Sequence, residues 1–336
     1  MKTLETPEVA RNAWPRFLCE MVGTALLVLV GLSLVIMAFG TGSPVAALLP
    51  SVKLRQVLTG FLFGCVGGLI TISRLGKESG AHMNPAVTFG FWMMGKMEPP
   101  IAVGYIVAQL IGAVMGCLPL LVWGAMGHSI SFGATTPGQG YTVWIALLGE
   151  ILATFCLAST LYIFIAYRKL RRFTPAVIPF LYAIMVPLEA PLSGTSTNPA
   201  RTFGPAVISG QWNAWWIYWV GPLCGALASI IIFSFLTERI EEAKLYHFEC
   251  DQRKLFRTNL ASDSDHPVLR VFSWRQRSWF RCQSSDRMDG FNRTGDRPLR
   301  THHAGSRTET ENGFGRNDET TSGGRLTAKR QDWESS

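Results

Sequence analysis

Charged side chains are scarce over most of this sequence. Of its 336 residues, 16% are charged and 48% hydrophobic, against roughly 25% charged in an ordinary soluble domain. The scarcity is also local: residues 1–237 hold 13 Lys/Arg and 7 Asp/Glu, whereas residues 238–336 hold 18 and 16. The first part therefore reads as membrane protein and the second as a soluble or disordered tail. Metal and disulfide chemistry are lacking too. The seven cysteines, Cys19, Cys65, Cys117, Cys156, Cys224, Cys250 and Cys282, make no CxxC pair and sit in no His cluster, so they read as small buried hydrophobes. No nucleophile–base set, metal cluster or phosphate loop supports an enzyme, and no cofactor is implied. The +8 net charge is explained by loops and termini, not by a nucleic-acid surface.

What is present is a series of long apolar runs. A hydrocarbon core of about 30 Å needs about 20 apolar residues per helix. Spans are expected at Phe17–Phe39, Val57–Leu75, Ile101–Gly124, Val143–Tyr167, Pro175–Leu188 and Ala214–Leu236, the fifth being short and flanked by proline. The first run is too long for a signal peptide and reads as a retained span. Basic residues orient the chain. Lys2, Arg11 and Arg16 precede the first span, Arg74 and Lys77 follow the second, and Arg168, Lys169, Arg171 and Arg172 join the fourth to the fifth. The connection between the third and fourth has none. Both termini are thus expected in the cytoplasm of a multi-pass plasma-membrane protein, with Lys53 and Arg55 on the opposite side.

Two stretches repeat: "SGAHMNPAVTFG" at Ser79–Gly90 and "SGTSTNPARTFGPAV" at Ser193–Val207. The first follows span two and the second follows span five, so each closes the same position in a three-span unit. Three is odd, so the second unit enters the membrane from the opposite face, as an inverted repeat. Lone acids strengthen the match, since Glu20 in "CEMVGTALL" and Glu150 in "GEILATFCLAS" each open the first span of a unit. A carboxyl group inside a membrane helix usually faces the protein interior. Both are expected to accept hydrogen bonds from loop backbone, and a proton-coupled transporter is disfavoured because the spans offer only these two acids.

Asn-Pro-Ala has a physical reading of its own. Asn is a strong N-cap and Pro fits the first helical position, so Asn84, Pro85 and Ala86, like Asn198, Pro199 and Ala200, start helices. The stretches that follow suit half a bilayer, and such re-entrant backbone must be buried in protein or line a cavity. Two half-helices from opposite faces would bring Asn84 and Asn198 together near the midplane, their positive ends on one spot. Cations are repelled there, while the Asn amides can donate hydrogen bonds to a passing neutral molecule.

These residues resemble the aquaporin, or major intrinsic protein, family over about residues 13 to 240, with "GYIVAQLIGAVMG" in span three and "YWVGPLCGA" in span six adding to the match. The resemblance implies an all-α membrane protein: a right-handed bundle of six helices plus two re-entrant half-helices, a pore in every subunit, and a homotetramer passing water or small uncharged solutes. Asn84 and Asn198 match the paired pore asparagines, and Arg201 matches the arginine of the outer constriction. A permanent guanidinium charge beside a narrow pore also repels cations without that resemblance.

The rest of the constriction departs from the water-channel pattern. Counting back without gaps from each asparagine, the family's filter positions fall on Gly64, Val186 and Thr195. The bulky aromatic and the histidine usual in strict water channels are both missing, and Thr202 stands where glycerol channels often carry Asp. The opening is expected to be wide, admitting glycerol, urea or metalloid hydroxides as well as water. A shift of one residue would put Phe63 at the pore instead and restore an aromatic. Gly64 with Gly68, and Gly112 with Gly116, also form G-x-x-x-G pairs that can serve close helix packing. Trp212, Trp215, Trp216 and Trp219 read as an interfacial belt.

The domain reading is a cytoplasmic segment at 1–13, a channel domain at 14–240 with repeats at about 14–125 and 143–240, and a disordered cytoplasmic tail at 241–336. Within the tail, "VFSWRQRSWFRC" could touch anionic headgroups. Beside the channel, a non-conducting membrane or junction protein on the same scaffold is the alternative.

Overall fold

The computed structural model describes residues 13–235, 240 and 243–246, as helices and turns with no strand among them. The six spans run Trp14–Phe39, Val52–Ile72, Pro99–Cys117, Val143–Ala166, Thr174–Ser193 and Ile217–Phe233. Five are long and apolar enough to cross a membrane, and the sixth is shorter at 17 residues. The second begins earlier than its hydropathy suggests, because Ser51 caps it by accepting from the Leu54 N–H. The fifth continues five residues past its expected end at Leu188. Pro179, Pro187 and Pro191 all lie inside it, which membrane helices tolerate when neighbouring groups satisfy the freed carbonyls. That extension carries Glu189 into the protein interior, so the spans hold a third acid beyond Glu20 and Glu150.

Each span divides into a buried and an exposed face. On the first, Leu18, Val22, Leu26 and Val30 are exposed, while Glu20, Gly23, Thr24, Leu27 and Gly31 are buried. On the third, Val103, Val107, Ile111 and Met115 form the exposed row. Residues four apart share one helix face, so these apolar rows are continuous stripes suited to lipid. The inner faces carry the polar groups, inverting the pattern of a helix in water.

Small residues let the inner faces meet backbone to backbone. A Cβ at Gly112 or Gly116 would collide with the carbonyl oxygens of Met21 or Ala25 on the first span. The second and fifth spans meet the same way: a Cβ at Gly64 would lie 2.6 Å from the Pro179 Cα, and one at Gly68 would lie 2.5 Å from the Pro175 oxygen. The packing pairs obey the repeat. Span one packs on three and four on six, two packs on five, and each half-helix packs on the last span of the opposite unit. Exchanging the two units maps this set of contacts onto itself, as an inverted 3+3 repeat requires.

The half-helices, Pro85–Met93 and Pro199–Ser209, are wrapped by the spans. Pro85, Ala86, Val87, Thr88, Gly90 and Phe91 are buried in the first, and Pro199 through Thr202 and Gly204 through Ala206 in the second. After span six, Ile240, Ala243, Lys244 and Leu245 are buried, and the Leu245 N–H donates to the Gly80 carbonyl at 3.1 Å. Packed chain thus reaches beyond residue 240, where the tail was expected to begin. The rest of that tail, with "VFSWRQRSWFRC", lies outside the described residues, as does nearly all of the 1–13 segment.

The close approaches make a stability prediction. Gly116→Ala forces the first and third spans apart and should destabilise the protein by about 1–3 kcal/mol. Gly67→Ala meets nothing nearer than Leu27 Cδ1 at 3.8 Å, and should hold or raise stability through helix propensity. Thermal unfolding in detergent ranks the two; equal Tm values would contradict the packing described.

Candidate functional site

Two loops of matched, strained backbone lead into the half-helices. A short helix, Arg74–Ser79, ends in Gly80 and the fifth span ends in Gly194, both at φ 87°. Left-handed backbone continues at Ala81 (φ 56°) and Met83 (φ 47°) in one loop, and at Thr195 (φ 53°) and Thr197 (φ 52°) in the other. Glycine adopts this region freely; other residues do so at a cost.

The buried acids hold these loops. Glu20 accepts from the backbone N–H groups of His82 at 2.9 Å and Met83 at 2.7 Å, and from Gln109 Nε2 at 2.8 Å. Glu150 accepts from the N–H groups of Ser196 at 2.7 Å and Thr197 at 2.8 Å, and from the Ser193 hydroxyl at 2.6 Å. Two tyrosines complete the match: Tyr105 donates to the Ser79 carbonyl at 2.7 Å and Tyr218 to the Ser193 carbonyl at 2.8 Å.

Held this way, the loops meet at the asparagines. Asn84 Oδ1 caps its half-helix by accepting from the Ala86 N–H at 2.8 Å, and its amide donates to the Thr197 carbonyl at 2.9 Å. Asn198 Oδ1 accepts from Ala200 at 3.0 Å, and its amide donates to the Met83 carbonyl at 2.8 Å. Each asparagine thus caps its own helix and ties the opposite loop. A carboxamide has two N–H donors, so each keeps one beyond this tie. Both side chains line the inner of two cavities, with Leu27, Val87, Leu157 and Leu161 among its apolar walls.

The outer cavity is bordered by Thr59, Gly60, Val186, Thr195 and the stretch Gly133–Gln139 from the connection between spans three and four. That connection folds inward because Phe132, fully buried, anchors it beside Leu32, Ile36 and Leu120. Its Gly133 carbonyl accepts from Arg201 Nη1 at 2.7 Å, which holds the guanidinium across the passage. Arg201 is only 7% exposed, so it does not snorkel to an interface. Thr202, one residue on, shares hydrogen bonds with the hydroxyls of Thr135 at 2.7 Å and Ser196 at 2.6 Å.

Phe63, Tyr182, Ser196 and Arg201 border both cavities and so stand where the two join. Gly64 borders the inner cavity only, with its Cα hydrogen turned against Pro179 of span five. Phe63 thus stands at the junction of the two cavities, while Gly64 both lines the inner cavity and packs closely on span five. Val186 and Thr195 border the outer cavity.

Sequence reading missed four contributors. Tyr182 lies four residues before Val186, one helical turn along the same face, and that spacing was the available signal. Ser196 is the counterpart of His82, whose Nδ1 lies 3.1 Å from the Thr88 hydroxyl. Gly133 gave no signal, since its role depends on a fold-back that only packing decides. Glu189, which also contacts the Ser193 hydroxyl, was hidden by the proline-rich end of span five.

Comparison with known proteins finds one family. A family model described as Major intrinsic protein matches residues 8–233. A probable aquaporin, TIP2-2, of Arabidopsis thaliana is 37% identical over 219 residues, covering 64% of this chain and 84% of its own. Aquaporin AqpM of Methanothermobacter marburgensis is 35% identical over 247 residues, covering 66% of this chain and 97% of its own. Among solved structures, the aquaglyceroporin from Plasmodium falciparum matches with a TM-score of 0.56 at 20% identity, over 66% of this chain and 96% of that one. That last likeness concerns the fold alone.

The acid grip can be tested by a near-isosteric change. Glu150→Gln replaces one acceptor oxygen with a donor that faces a backbone N–H, and should destabilise the protein by about 2–3 kcal/mol. Glu98→Gln, at a helix start where the side chain makes no capping bond, should change it by less than about 0.5 kcal/mol. Thermal unfolding and water permeability report both; an unaltered Glu150→Gln protein would remove the carboxylate from its assigned role.

Proposed function

The chain belongs to the major intrinsic protein family and is a passive transmembrane channel for water or small neutral solutes; within that activity, we propose that water moves in single file past the paired asparagines, with Phe63, Val186, Thr195 and Arg201 as the outer filter. One observation carries the reading. Asn84 and Asn198 each use one amide hydrogen to tie the opposite loop, which leaves one each to donate to a molecule at the waist.

Consider a water at that point. If it accepts from both amides, its lone pairs are taken and it cannot also accept a proton from the next water in file. The two half-helix starts place positive dipole ends at the same level, and Arg201 adds a full charge outside it, so cations meet a barrier from two sources. Around these donors the walls are apolar, which keeps the passing molecule's bonds few and its transit rapid.

The wider placement is part of the same proposal. We read the protein as a channel and not an enzyme, with its channel domain at about 14–240 and further chain after it. The basic loops favour cytoplasmic termini in a plasma membrane, and the family resemblance favours a homotetramer embedded through the apolar stripes of its spans.

Stopped-flow light scattering on proteoliposomes tests the activity. Osmotic water permeability should exceed that of empty liposomes severalfold, and equal values would sink the channel reading. Arg201→Val should keep water flow and admit cations, seen as conductance in planar bilayers; selectivity identical to the wild type would refute the charge barrier.

A further inference from the structure

Two aromatic rings narrow the junction. Phe63 of the second span and Tyr182 of the fifth stand with ring centroids 6.2 Å apart and planes 27° apart, and both border the outer and the inner cavity. Val186, at the filter position reached by counting, borders only the outer one. We propose that Tyr182 sets the size limit of this pore, from one helical turn further in than Val186, so that water passes and three-carbon polyols such as glycerol do not. This rests on the channel reading above.

The placement follows from helix geometry. Four residues along a helix advance about 6 Å on nearly the same face, so Tyr182 projects from the face that carries Val186 but at the depth of Phe63 and Arg201. A bulky side chain is missing at Val186, and here the bulk is found one turn inward.

Neither ring is free to swing aside. Phe63 packs so closely on the first span that a Cβ at Gly31 would strike its ring. Tyr182 is held at both ends. Its backbone carbonyl lies where a Cβ at Gly60 would need to be, and its hydroxyl is 2.8 Å from Thr197 Oγ1. The Thr197 hydroxyl donates its single proton to the Ser196 carbonyl at 2.7 Å, so the phenol must be the donor in its bond to Thr197. With its hydrogen committed, Tyr182 offers a passing solute ring carbons and one weak acceptor.

The junction is therefore two-sided. One wall is aromatic, and the other carries Ser196 and Arg201. A water can take a donor from the guanidinium, which has five N–H groups and spends Nη1 on Gly133. Glycerol must bring three hydroxyls and a carbon chain between walls that cannot part, and any hydroxyl turned to the rings loses its partner, an expensive loss for a desolvated group.

The experiment compares water and glycerol permeability of proteoliposomes holding wild type, Tyr182→Phe, Tyr182→Leu and Tyr182→Ala. Wild type and Tyr182→Phe should pass water and leave glycerol at the level of empty liposomes. Tyr182→Ala should keep water flow and raise glycerol permeability by about tenfold or more, the scale that steric discrimination of this kind supports. Tyr182→Leu should fall between, and supplies the reading if the alanine variant does not fold. Glycerol flux through the wild type, or no rise in either shortened variant while water still flows, overturns the proposal. Glycerol flux through Tyr182→Phe would also overturn it, because the hydroxyl tie to Thr197 and not the ring would then be what matters. A wild type that passes no water defeats the channel reading itself, a failure distinct from all of these.

Discussion

Each half of the pore hangs from one buried carboxylate. Glu20 and Glu150 are fully buried, and each takes two consecutive backbone N–H groups of the loop in its own unit. Left-handed backbone disfavours each non-glycine residue by roughly 1–2 kcal/mol, and each loop has two such residues. Bonds to a charged acceptor contribute roughly 1.5–3 kcal/mol each, so two of them outweigh the strain. The loops persist in that shape because the acid is there, and the asparagines face each other because the loops persist.

From this grip the rest follows by symmetry. The same elements recur in both units, an acid in the first span and then, at identical spacings, a left-handed glycine, two strained residues, and an asparagine that caps its own half-helix and bonds across to the other loop. Tyr105 and Tyr218 brace equivalent carbonyls from spans three and six. Two halves related by a pseudo-two-fold rotation bring the asparagines together, each amide bonded to the other unit's loop.

The two sides then diverge, and function depends on the divergence. On the inner side, His82 bonds to the Ala243 carbonyl at 3.0 Å, and Leu245 joins the cavity wall. On the outer side, Ser196 replaces the histidine, Arg201 replaces Val87, and the connection between spans three and four turns inward to hold the guanidinium. The aromatic pair of Phe63 and Tyr182 sits between the two environments. On the proposed reading, solute choice is made where the repeat is least exact.

By itself the sequence determined the membrane class, the six spans, the inverted repeat, the half-helix starts at Asn84 and Asn198, and the place of Arg201. These are local: apolar run length, cap chemistry and repeated spacing are written in neighbouring residues. The inward turn at Gly133, the burial of Glu189 and the place of Phe63 and Tyr182 at the junction of two cavities were decided by tertiary structure alone. Gly64 borders the inner cavity and also meets Pro179 of span five closely, and no count along the chain detects that contact. Which face of a helix meets a cavity depends on how closely its neighbour approaches, and here that approach is set by glycines and proline carbonyls on two spans more than a hundred residues apart.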